Sequence, residues 1–125
     1  MKLNPDCIRD VLLAIEELAD DEDCEILFPY DTVEIDSLSL YSAKDVRYSI
    51  LQCAKQGLIE TGKEFIDRTL PVSGLSPEGH RFLESIRPST RWRRILSAAA
   101  KDLRSSVLGE LVDLASEYAR SDHPG

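Results

Sequence analysis

The 125-residue chain predicts a mainly helical α+β domain with a small β-wing, extended at its C-terminus by one helix or two. Three observations carry this expectation. Apolar residues recur at helical spacing from Ile8 to Ala19 and again from Ala43 to Ala54, where Gly57 stops the pattern. Leu58-Ile59 and a return segment flank the turn-forming Thr61-Gly62-Lys63-Glu64, as in a short hairpin. Ser76-Pro77 then opens another helix. Helix, hairpin and capped helix across Ser42–Ile86 make the order winged-helix-like.

The first helix has Asn4 as its cap, Pro5 at the first helical position and Asp6 at the positive end of the dipole. Ile8, Val11, Leu12, Ile15, Leu18 and Ala19 form its apolar face. The acidic run Asp20–Asp23 follows and reads as a solvated loop. It lacks the alternating ligands and glycine turn of a calcium loop. Residues 24–41 look extended: Ile26 and Phe28 alternate with polar neighbours, as do Val33 and Ile35, and Pro29 marks an edge, bulge or turn. Asp36–Ser39 could instead form a short helical turn.

Ser42 and Asp45 have capping-box spacing for the central helix. Ala43, Val46, Ile50, Cys53 and Ala54 share its inner face, widened by Leu51. Lys44, Asp45, Tyr48, Ser49, Gln52, Lys55 and Gln56 lie opposite. The return strand is Phe65–Asp67 or Leu70–Val72, placed at an edge by Pro71 and broken by Ser73-Gly74. Phe82, Leu83 and Ile86 face inward from the next helix, which Pro88 closes. A final apolar stripe starts at Trp92, Ile95 and Leu96. It continues through Ala99, Leu103, Val107, Leu111, Leu114 and Tyr118, with a break expected near Arg104-Ser105-Ser106. This organisation gives a winged-helix-like domain over 1–96, a helical extension over 97–120 that packs on the domain or on a second chain, and a disordered tail over 121–125.

Composition narrows the function classes. Apolar residues make up 42%, as in a globular protein. The longest apolar runs fall far short of the roughly 20 residues that span a bilayer. With no signal-peptide core in MKLNPDCIRD, the expected location is the cytoplasm and no membrane contact is expected. Cys7, Cys24 and Cys53 lack metal spacing and read as reduced thiols, the first and last in core packing. Net charge is −8, with −9 in residues 1–62 and +1 in residues 63–125. An acidic protein needs a local basic face to hold nucleic acid.

Three clusters carry a resemblance. They are Asn4, Asp6, Arg9, Leu12, Ile15 and Glu16; then Tyr48, Ile50, Gly57, Leu58 and Ile59; then Leu75, Gly79, His80, Phe82, Leu83, Ile86 and Arg87, with Trp92 after them. Together, over roughly residues 1–95, they resemble an uncharacterised family of bacterial and phage proteins known as a domain of unknown function. The family pattern has a histidine where Ser49 stands and a threonine where Ser76 stands. The first departure removes any site built on that histidine; the second keeps the cap. The resemblance implies the fold and assigns no activity.

The candidate site is the outer face of the central helix. Lys44, Arg47, Tyr48, Gln52 and Lys55 would read or hold double-stranded DNA, and Lys63 and Arg68 would reach the backbone from the wing. The bland alternative is a solvated face, with Asp45 repelling DNA. Arg87, Arg91, Arg93 and Arg94 around Trp92 form a second basic cluster: arginine beside an aromatic can bind single strands or phosphate, but the favoured reading is the charged outer face of a helix with a core tryptophan, also able to pair with the acidic half. His80 reads as a helix-packing residue, and His123 lies in the tail. No nucleophile–base pair, zinc spacing or Gly-rich phosphate loop is visible, so neither catalysis nor a cofactor or metal is expected. The leading expectation is a non-enzymatic DNA-associated regulator of bacterial or phage origin. The alternative is an acidic protein–protein interaction module on the same scaffold. Val112, beyond the main stripe, suggests a homodimer through the C-terminal helix.

Overall fold

In chain order the elements are α1 (Pro5–Leu18), β1 (Ile26–Phe28), α2 (Ala43–Lys55), β2 (Ile59–Thr61), β3 (Leu70–Leu75), α3 (Pro77–Ile86), α4 (Ser89–Lys101) and α5 (Leu108–Ser121). They come from a computed structural model, which describes residues 3–18, 26–28, 38–67, 69–101 and 107–121. Outside that description lie Cys24, the Asp20–Asp23 run, Pro29, Val33, Ile35, Arg68, Leu103, the Arg104–Ser106 break, His123 and the tail from 122.

Local signals start α1 and α2. Asn4 Oδ1 accepts from Cys7 N at 3.3 Å, and Ser42 Oγ accepts from Asp45 N at 3.1 Å. Behind its cap α1 buries Cys7, Ile8, Val11, Leu12, Ala14 and Ile15. Leu18, expected on that face, is half-exposed because the last turn outruns the core. α2 buries Val46, Ser49, Ile50 and Cys53 against α1. Two expectations fail there. Ala43 is exposed, since it sits in the first turn at the domain's rim. Ser49, expected outside, is buried at the seam with α1.

The sheet has the order β1-β3-β2, antiparallel throughout. The return strand is thus central and runs through Ser73-Gly74 instead of breaking there. Pro71, expected at an edge, pairs with Leu27 in the middle strand. Its carbonyl accepts from Gly62 N on the β2 side, so its missing N–H faces the same side. There the ladder is already irregular: Glu60 pairs with Gly74 and Thr61 with Val72, leaving Ser73 as the extra residue of a bulge. Proline costs little where no regular bond is waiting. Phe65–Asp67, the other choice for the return strand, lies in the exposed turn.

α3 and α4 meet at Pro88, and α5 packs on both. The C-terminal stripe is two helices, and residue 96 lies inside α4. Leu108, Leu111, Leu114 and Ala115 complete this chain's own core, and Val112 packs against it. Val107, expected in the stripe, is exposed; its carbonyl accepts from Glu110 N and Leu111 N instead. Among the described residues, no helix is long and apolar enough to cross a membrane.

Candidate functional site

The residues of the three clusters turn out to hold one another. Gly57 ends α2 with φ +75°, the left-handed conformation glycine adopts without strain. The chain then places the Leu58 carbonyl against the start of α3, where it accepts from Ser76 N at 3.0 Å. Ser76 Oγ accepts from Gly79 N at 3.0 Å and donates to Gly57 O. A Cβ on Gly79 would stand 1.9 Å from Leu58 O. The Gly57-Leu58 exit and the Ser76–Gly79 cap are therefore one interlocked joint.

The polar residues of α1 grip the α3–α4 elbow. Asp6 Oδ1 accepts from Trp92 Nε1 at 2.9 Å, and Arg9 donates to Ile86 O at 3.0 Å and Arg87 O at 2.6 Å. Those carbonyls end α3, where a helix lacks internal donors and favours a cation. Glu16 pairs with Arg87 at 2.6 Å, and Glu84 pairs with it as well. The hydrogen bond that Arg87 donates to Glu16, then those it donates to Glu84, raise its pKa. Tyr41 OH donates to Asp10 at 2.6 Å from the turn before α2. Burial, reinforced by that bond, pushes the Tyr41 phenol up. These pairings tie the acidic N-terminal half to Arg87 and the buried Trp92, as the second reading of the basic cluster expects.

The proposed DNA-facing residues divide. Lys44, Tyr48 and Lys55 follow one another at spacings of four and seven along the side of α2 opposite its buried residues, while Leu51 beside them packs in part against the core. Lys44 and Lys55 are exposed, and Tyr48 and Gln52 are half-buried. Arg47 leaves this ridge and forms an ion pair with Glu64 in the β2–β3 turn. Lys63 is exposed in the same turn, and Arg68 lies outside the described residues. Across residues 42–67, Lys44, Arg47, Lys55 and Lys63 are matched by Asp45, Glu60, Glu64 and Asp67. The face is mixed in charge rather than continuously positive.

Other candidates settle differently. His80 is exposed in the first turn of α3 rather than packed. It lines an open groove of about 560 Å³ with Arg81, Glu84, Ser85, Ser116, Ala119 and Arg120. Cys7 and Cys53 are buried and reduced. Burial pushes both thiols up, and at Cys7 the Ser49 hydroxyl offsets only part of that. Thr69 Oγ1 is buried without a hydrogen-bond partner, and Ser49 Oγ has no well-formed bond and only the weak Cys7 thiol beside it. Among the described residues, no group of three His, Cys, Asp or Glu side chains could hold a metal ion.

The basic cluster that the sequence marks at Arg91, Arg93 and Arg94 lies on α4, and what the sequence did not show is the groove it shares with α5. α4 carries Arg91, Arg93, Arg94 and Lys101 and no acidic residue. Arg94 lies over the Tyr118 ring at 5.2 Å. The all-basic composition of residues 89–101 was a signal; their shared groove with α5 was not one.

No curated protein and no solved structure matches the chain. The profile of the family described as "Hypothetical protein (DUF2513)" matches residues 2–105. With most of its length matched, the chain belongs to the DUF2513 family.

Proposed function

We propose that the chain is a non-enzymatic winged-helix protein that associates with double-stranded DNA, laying α2 in the major groove and the β2–β3 turn along the backbone. The observation that carries this reading is the outer ridge of α2. Lys44, Tyr48 and Lys55 lie in one line opposite the buried Val46, Ser49, Ile50 and Cys53. That line extends over roughly 16 Å of helix. A helix anchored by one face beside a hairpin has a shape the major groove admits. The order of α1, β1, α2, β2 and β3, with β3 central, supports the winged-helix reading. The turn at Leu38–Leu40 stands where a helix would precede the reader.

Roles follow from side-chain chemistry. Gln52 suits an adenine edge, and Lys44, Lys55 and Lys63 suit phosphates. Arg47 acts from the side, where its pair with Glu64 ties the wing to the helix. Matched charges on this face make binding weak and salt-sensitive. Titrating labelled duplex with the protein across a salt series tests this. We expect log affinity to fall linearly with log salt; a protein that ignores duplex at low salt is not a DNA binder.

A second reading, a protein-interaction module, draws on exposed apolar side chains. Leu40 is 84% exposed and Phe65 53%, and Ile66 is fully exposed at the wing tip. It predicts capture of a specific protein that Ile66→Asp abolishes while duplex binding, if any, is unchanged.

A further inference from the structure

Within this acidic protein, α4 reverses the local sign of charge. A groove of about 440 Å³ opens between α4 and α5, lined by Arg93, Arg94, Ser97, Ala98, Lys101 and Tyr118. Three of the six lining residues are cations. Among the described residues that line it none is acidic, and the α5 acids Glu110, Asp113 and Glu117 are not among them. Like charges gathered in one concavity repel, and an entering anion relieves that repulsion. The groove falls within the few hundred to about 1,000 Å³ typical of small-ligand sites.

Arg94 Cζ lies 5.2 Å from the centre of the Tyr118 ring, a cation–π contact that holds the guanidinium beside the groove. Arg93 and Ser97 are one helical turn apart on α4, as are Ser97 and Lys101, giving a row of cation, hydroxyl and cation. Lys101 also sits in the last turn, where it offsets the partial negative charge of the helix terminus. A planar donor fork, a point cation and a hydroxyl suit the tetrahedral oxygens of phosphate.

We propose that the α4–α5 groove binds a phosphate group, carried by a nucleotide or by a nucleic-acid strand. It is independent of the DNA contact assigned to α2. Arg93, Arg94 and Lys101 supply the charge and Ser97 a hydroxyl. Tyr118 positions Arg94.

The test uses the full chain labelled with nitrogen-15 and titrated with sodium pyrophosphate, adenosine 5′-monophosphate and an oligo-dT strand. At low salt, at least one probe should shift the amides of Ser97, Lys101 and neighbours of Tyr118 saturably. Response to the two small probes identifies a nucleotide-sized phosphate site, and response to the strand alone identifies the backbone. Arg93→Ala with Lys101→Ala should weaken binding about tenfold or more, as expected for removing charged hydrogen bonds. Tyr118→Ala should weaken it and Tyr118→Phe should not. Arg81→Ala, at an exposed cation paired with Glu78, should leave it unchanged. Unmoved groove amides with all three probes, or wild-type affinity in the double variant, would overturn the proposal. Lys44→Ala with Lys55→Ala should leave the pyrophosphate response intact. A chain that binds pyrophosphate here and ignores duplex retains the groove and refutes the α2 reading.

Discussion

Gly79 at the start of α3 lies so close to the Leu58 carbonyl oxygen that an added Cβ would stand 1.9 Å away. The contact is with backbone, which cannot rotate aside like a side chain. Gly79→Ala should therefore cost about 3 kcal/mol or more, at the upper end of overpacking effects. Gly57 needs its glycine for another reason: its φ is +75°, and nothing lies within 4 Å of an added Cβ. Gly57→Ala should cost only about 1 kcal/mol. Urea denaturation of both variants checks the order; equal losses would show that the joint yields.

The Asp6–Trp92 bond should register as coupling. Trp92→Phe removes the indole donor and some buried volume, and should cost about 2 kcal/mol. Asp6→Ala removes the acceptor alone. A double-mutant cycle should return about 1 kcal/mol of coupling. Additive losses would mean that the bond contributes nothing beyond packing.

How much of this was legible depended on range. Caps at Asn4, Ser42 and Ser76 and the stop at Gly57 are local chemistry, and each appears where the sequence places it. The partners of Asp6, Arg9 and Glu16 lie 71 to 86 residues away, so no spacing reveals them. Strand order is equally non-local: Pro71 reads as an edge residue until a bulge lets it sit in the middle. Ser49 lies at the margin of the apolar stripe, where polarity argues for solvent and the meeting of α1 with α2 decides otherwise. On the candidate face, residue types were readable, but Glu64 taking Arg47 was not.

Ser49 supplies a prediction of opposite sign. Its hydroxyl is buried with at most the weak Cys7 thiol as partner, so desolvation is poorly repaid. Ser49→Ala should raise stability by up to about 1 kcal/mol. A loss of that size would show that the neighbouring Cys7 thiol satisfies the hydroxyl.

Alkaline pH should weaken the fold in two stages. Burial raises the Cys7 and Cys53 pKa values above 9.0, and burial with the Asp10 bond raises that of Tyr41 above 10.0. Each group stays neutral in the fold while its unfolded counterpart ionises. The stability involved is complete below the unfolded pKa and is lost as pH rises toward the folded one. Denaturation midpoints should hold to about pH 8.5 and then fall, more steeply above about pH 10. Cys53→Ala should flatten the first stage and Tyr41→Phe the second. A midpoint constant from pH 8 to pH 11 would contradict this account.

The central claim divides labour: the three residue clusters build the joint and the α1 seam, and the outer ridge of α2 is proposed to meet DNA. The affinity of Lys44→Ala/Lys55→Ala for labelled duplex at low salt tests it most directly. The account predicts a loss of about tenfold or more, a salt slope lower by about two, and an unchanged melting temperature, because both side chains are exposed. Wild-type affinity in this variant would contradict it.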